Sequence, residues 1–214
     1  MLIERQQVWG YSVCVADYRT ESSLGSRVQA ARKARGIKST RELAELIGND
    51  TLSVNILQNI ESGRMTNLSA AQMLNIAFAL RVAPSFLLAP MADAHGKPDL
   101  PGLSAGLASM RPTEFDAWLS GSDSGAYRPV NAPEMSERNE LAAFRELDGL
   151  LRERRRLRVL QRTDTRGTGE FTTAADSNWN RVEQRLAAVE VQIVDTRRYL
   201  ESAGWATEAL TQED

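Results

Sequence analysis

Apolar positions along the chain follow a helical rhythm in two regions, separated by a stretch that has none. From Leu24 the steps are three and four residues, repeatedly closed by glycine. Leu24, Val28 and Ala31 share a face up to Gly36, then Leu43, Leu46 and Ile47 up to Gly48, then Leu57 and Ile60 up to Gly63. A fourth segment carries Leu74, Ala77 and Phe78, and Pro84 is placed to open a fifth holding Phe86 and Leu87. Ser39 with Glu42, and Ser69 with Gln72, stand at capping-box spacing, where each side chain can satisfy the other's orphan backbone donor. Five helices this short bury a core only by crossing one another, so a small all-α domain is predicted over 23–90.

The second region begins beyond Pro133. Leu141, Phe144, Leu147, Leu150, Leu151, Leu157 and Leu160 form a loose stripe, and TDTRGTGEFTT interrupts it. Then Trp179, Val182, Leu186, Val189, Ile193, Thr196 and Leu200 alternate three- and four-residue steps, the pattern of a coiled-coil seam. The interruption is short enough to fold two arms back on each other, which predicts an antiparallel helical hairpin over 134–204 and a tail over 205–214. If helical from 176 to 203, the second arm is roughly 42 Å long at 1.5 Å per residue. Two such hairpins around a dyad would close their apolar stripes in a four-helix bundle. Trp179, Val182, Leu186, Val189, Ile193 and Leu200 are accordingly the expected seam of a homodimer.

Residues 91–133 hold five of the seven prolines and the cluster SGSDSG, and read as linker. Within it PTEFDAWLSG suits a short docking helix presenting Phe115, Trp118 and Leu119. Residues 1–22 include VWGYSVCVA, strand-like in composition but lacking a partner, and read as an arm.

Composition narrows the chemistry. Cys14 and His95 are each the only one of their kind, which excludes a disulfide framework and a Cys/His zinc site; no cofactor or metal is expected. No glycine-rich phosphate loop or nucleophile motif is present and His95 lacks a partner, so no catalytic residue is expected. No run of about 18 apolar residues and no secretory leader pattern occur, which predicts a cytoplasmic, nucleoid-associated location away from membranes. The net charge of −2 hides an asymmetry. Within 24–90, Arg27, Arg32, Lys33, Arg35, Lys38, Arg41, Arg64 and Arg81 face four acids, leaving that segment at +4 and the remainder at −6.

The stretches LGSRVQAARKARG, STRELAELIG and NIESGR, followed by LSAAQMLNIAFALRVAPSFLLAP, resemble the Cro and lambda-repressor-like (XRE) family of bacterial and phage regulators over residues 24–90. The resemblance implies a five-helix DNA-binding domain whose second and third helices form a helix-turn-helix. GNDTLSVN departs from the family, being about three residues longer between Gly48 and Ile60. The addition either lengthens the turn or extends the third helix. Counting back from Ile60 places Ser53 at the N-cap with Val54 and Asn55 as the first helical residues. On the family pattern Asn55 and Asn59 contact bases, with Gln58 beside them, and a carboxamide suits N6 and N7 of adenine; Val54 or Ile56 would meet a thymine methyl. Thr40 and Arg41, at a helix start that favours phosphate, join Lys38, Ser53, Arg64 and Asn67 as backbone contacts. Arg32 and Glu61 match the positions of an internal ion pair.

The expectation is a sequence-specific regulator, probing double-stranded DNA as a dimer on a palindromic operator and acting as a repressor. The alternative is an antitoxin or adaptor working mainly through a protein partner on the hairpin. RERRRLRVLQR, with six arginines, is read as an ion-paired face opposed by Asp176, Glu183 and Glu190 rather than as a second nucleic-acid contact.

Overall fold

A computed structural model describes residues 16–122, 125–164 and 173–208, with side chains at 16–122, 125–162 and 180–208. Most of the arm, the end of the tail and the side chain of Trp179 lie outside these residues. Every regular element among the described residues is helical: α1 (Leu24–Ala34), α2 (Thr40–Ile47), α3 (Val54–Glu61), α4 (Ala70–Leu80), α5 (Pro84–Leu88), α6 (Ala105–Ser109), α7 (Pro112–Ser120), α8 (Ala132–Asp164) and α9 (Thr173–Ser202), with a 3-10 turn at Asp50–Leu52. No described helix is long and apolar enough to cross a membrane. The chain divides into two units, one ending at Ser120 and the other starting at Gly121.

Local chemistry sets the helix starts of the first unit. Ser23, Ser39, Ser53 and Ser69 are N-caps whose hydroxyls accept from the N–H of Ser26, Glu42, Ile56 and Gln72. Only Ser69 and Gln72 complete the reciprocal box. The Glu42 carboxylate instead accepts from the N–H of Lys38, one residue before the cap, so the expected reciprocity at Ser39 is replaced by a longer reach. Gly48 ends α2 in the left-handed conformation, φ 61°, where a side chain would be strained.

The core gathers Leu24, Val28 and Ala31 of α1, Leu43 of α2, Leu57 and Ile60 of α3, Met73, Ile76, Ala77 and Leu80 of α4, and Leu87 of α5. Leu46, Leu74 and Phe78, expected inward, are instead 59%, 55% and 72% exposed. The reason is rotational. At about 100° per residue, Met73, Ile76, Ala77 and Leu80 put their common face roughly 110° from Leu74 and 150° from Phe78. The Arg81 guanidinium covers the Phe78 ring, 4.9 Å from its centroid.

Residues read as linker carry structure up to Ser120. Arg27 is fully buried: its Nε donates to the Leu87 carbonyl (2.8 Å), Nη1 to the Glu21 carbonyl (2.9 Å) and to Asp99 (3.2 Å), and Nη2 to the second Asp99 oxygen. The segment through Asp99 thus supplies the counter-charge for an arginine on α1. Tyr18 meets Phe86 edge-on at 5.9 Å, so the end of the arm packs on the same unit.

In the second unit α8 and α9 lie antiparallel, since Trp205 bonds Glu140 near one end while Glu190 pairs with Arg154 and Arg158 further along. Leu147, Leu150, Leu151 and Leu157 pack against Val189, Ile193 and Leu200, with Phe144, Val182, Leu186 and Trp205 around them. Of the stripe expected to form a dimer seam, Val189, Ile193 and Leu200 are buried against α8 of the same chain and Val182 and Leu186 are half-buried beside them. Leu160, expected in the opposing stripe, is 45% exposed. Of the arginine run, Arg152 pairs with Asp148 and both Arg154 and Arg158 with Glu190, while Arg155 and Arg156 stay exposed. Trp205 and Thr207, read as tail, dock back: the Trp205 ring lies 5.2 Å from Phe144 and the Thr207 hydroxyl donates to Glu201 at 2.6 Å.

Candidate nucleic-acid interface

The candidate interface is built on α2, the 3-10 turn and α3. Within GNDTLSVN, Asp50–Leu52 form that turn: the Asn49 side chain accepts from the Thr51 N–H at 2.9 Å, and Leu52 is driven fully into the core. Burying a leucine side chain is worth about 1.5–3 kcal/mol, enough to hold so short a segment in one place. Pinned there, the chain enters α3 at Val54 with Ser53 as its cap.

Two faces of α3 then do different things. Leu57 and Ile60 are fully buried and Ile56 packs at the core margin, which fixes the helix roll. Asn55 and Gln58 are exposed and Asn59 half-buried on the other side. Among the described residues these three carboxamides make no hydrogen bond within the protein, so their donor and acceptor pairs stay available. Val54 is half-buried beside them.

The C-terminal end of α3 is anchored to α1. Arg32 Nε and Nη2 donate to the two Glu61 oxygens at 2.6 and 2.7 Å, and Nη1 donates to the Ile37 carbonyl at 2.8 Å. Both side chains are under 10% exposed. The bidentate bond it donates to Glu61 holds the Arg32 guanidinium above its ordinary pKa, so the arginine keeps its charge. Gly25 of α1 sits directly over the Ile60 carbonyl, so α1 and α3 approach backbone to backbone.

No family model, curated protein or solved structure matches this chain.

The basic residues sort themselves by role. Arg27 and Arg32 are buried and paired, Arg35 donates to the Leu80 and Arg81 carbonyls at the end of α4, and Lys33 bonds Gln29. Lys38, Arg41 and Arg64 are exposed, with no side-chain partner among the described residues. They flank α2 and α3: Lys38 and Arg41 around the start of α2, Arg64 just beyond α3. Thr40 is half-buried at the first position of α2, where N–H groups ahead of Glu42 have no partner within the helix. Ser53 is exposed with its oxygen taken by the Ile56 N–H, and Asn67 is exposed in the connector to α4.

Sequence reasoning missed three features that shape the first unit. Leu52 carried a weak signal, a lone leucine in a polar turn. Gly25 and the Arg27–Asp99 pair carried none, because a close backbone approach and a partner 72 residues away leave no local pattern. Among the described residues there is no group of three or more His, Cys, Asp or Glu that could hold a metal.

Proposed function

We propose that this protein is a sequence-specific, DNA-binding transcriptional regulator with a lambda-repressor-like helix-turn-helix head, acting by binding rather than catalysis. The observation that carries the reading is the α3 surface, where Asn55, Gln58 and Asn59 keep their hydrogen-bonding groups unused on a helix whose buried side is fixed. In the major groove Asn55 and Asn59 would read adenine edges, with Val54 against a thymine methyl. Lys38, Thr40, Arg41, Ser53, Arg64 and Asn67 would set register on phosphates.

A palindromic operator requires two recognition helices about 34 Å apart, hence two copies. Because Val189, Ile193 and Leu200 of the expected seam are buried against α8, we place the contact with a second copy on the exposed face of the α8–α9 hairpin. Val191 and Val194, one turn apart on α9, are 61% and 52% exposed, and Val159 on α8, next to the Arg158 that pairs with Glu190, is 56% exposed. The same face favours the second reading, an antitoxin or adaptor that takes a different protein there.

Selection of bound fragments from random-sequence DNA by the full chain tests the first reading and yields the site. Against that site Asn55→Ala or Asn59→Ala is expected to cost about 1–3 kcal/mol, leaving binding to random DNA nearly unchanged. Equal losses on both would remove base readout from α3, and failure to enrich any sequence would leave the adaptor reading.

A further inference from the structure

In the first unit, residues 100–103 and α7 close one side of a cavity whose other side is α4, α5 and the Thr66–Ser69 connector. Its volume is about 690 Å³, within the roughly 300–1,000 Å³ usual for small-molecule sites. The walls are apolar, with Leu24, Leu68, Met73, Leu88, Leu103 and Leu119 prominent. Among the lining residues Asp116 is the only charged one, and no Lys, Arg or His accompanies it. The N-terminus of α4 also borders the space; its Ser69 and Gln72 N–H groups are taken by each other's side chains, which leaves only the uncharged first-turn N–H groups of Ala70 and Ala71 there. Asp116 therefore remains the single full charge on an apolar wall.

Such a wall discriminates by charge. A neutral occupant leaves the carboxylate with less water and no partner, an anion adds repulsion, and a cation supplies a charge-assisted hydrogen bond while its apolar body fills the remainder. We infer that the cavity is a binding site for a hydrophobic amine: an alkyl or aryl body with one ammonium group directed at Asp116. The Thr66–Ser69 wall includes Asn67, three residues beyond Arg64, so an occupant bears on the segment assigned above to DNA phosphates. That regulatory step rests on the DNA-binding reading. The binding step does not.

The test uses the full chain, labelled with carbon-13 at the methionine methyls and titrated near neutral pH with n-octylamine, n-octanol and n-octanoate. A saturable shift of the Met73 resonance is expected with the amine, its identity fixed by loss of the signal in Met73→Leu. The alcohol and the carboxylate should bind about tenfold or more weakly, as for a lost charged hydrogen bond. Asp116→Asn should abolish the preference for the amine. Ala70→Phe, which adds bulk from an exposed position at the start of α4, should abolish the Met73 shift for all three probes and serves if Asp116→Asn does not fold. No saturable shift, or equal affinity for the three probes, overturns the assignment. On the selected DNA site, saturating amine should weaken binding about fivefold or more in the wild type and not at all in Ala70→Phe. Amine binding without any effect on DNA affinity overturns the regulatory step alone. A chain that takes the amine but binds no DNA overturns the DNA reading and leaves the cavity assignment standing.

Discussion

Gly25 lies so close to the carbonyl of Ile60 that a Cβ added there would stand 2.2 Å from the oxygen. The obstacle is backbone, which cannot swing aside, so α1 must move off α3. Gly25→Ala is expected to destabilise the first unit by about 1–3 kcal/mol or more, through overpacking. Gly106→Ala in α6, where the added methyl meets open space, should stabilise by about 0.5–1 kcal/mol. Urea unfolding of the two variants checks both signs, and a stable Gly25→Ala would contradict the contact.

Arg32 and Glu61 form a pair that is costly to break and cheap to replace. Removing either charge alone, as in Arg32→Met or Glu61→Leu, leaves its partner buried and should cost about 3–5 kcal/mol. The double variant should be markedly less damaging than the sum of the two. A double-mutant cycle measures the difference, and strict additivity would show that the pair contributes nothing as a unit.

For the exposed cations the expectation concerns salt. Neutralising Arg41 or Arg64 should weaken binding to every DNA sequence and lower the slope of log affinity against log salt by about 1 per lost phosphate contact. Specificity should survive. Unchanged slopes for both variants would place these residues off the DNA.

Val191→Glu together with Val194→Glu should yield monomers in sedimentation with the helical signal retained, because both side chains are exposed within the chain. Leu186→Glu with Ile193→Glu should instead unfold the α8–α9 pair, since Ile193 is 2% exposed against α8. Monomers that stay fully helical from the second pair of substitutions would place the dimer contact on the Val182–Leu200 stripe instead.

The legible parts of the fold were those encoded by short-range chemistry. The serine caps at 39, 53 and 69, Pro84 at the head of α5 and the left-handed glycines at 36, 48 and 63 each act within a few residues, so most helix boundaries from α1 to α5 follow from local pattern. Facing did not always follow. In QMLNIAFAL nearly every position is apolar, and nothing local decides between the Met73–Leu80 stripe and the Leu74–Phe78 stripe until the neighbours of α4 are in place. At the candidate interface Asn55, Gln58 and Asn59 could be named only by way of the family resemblance, with the count back from Ile60 fixing their place on α3. The sorting of basic residues into buried and free could not, because it depends on Glu61, Asp99 and the Leu80 carbonyl, all distant in the chain from the arginines they hold.

The burial of Arg27 limits how this head can be moved between proteins. Its guanidinium is bound by Glu21 and Leu87 carbonyls and by Asp99, so a head excised or transplanted at residue 90 would carry an interior cation stripped of its anion. The smallest unit that recombination or protein engineering can pass on intact runs past Asp99, and the segment that looks like a tether travels with the head as part of its interior.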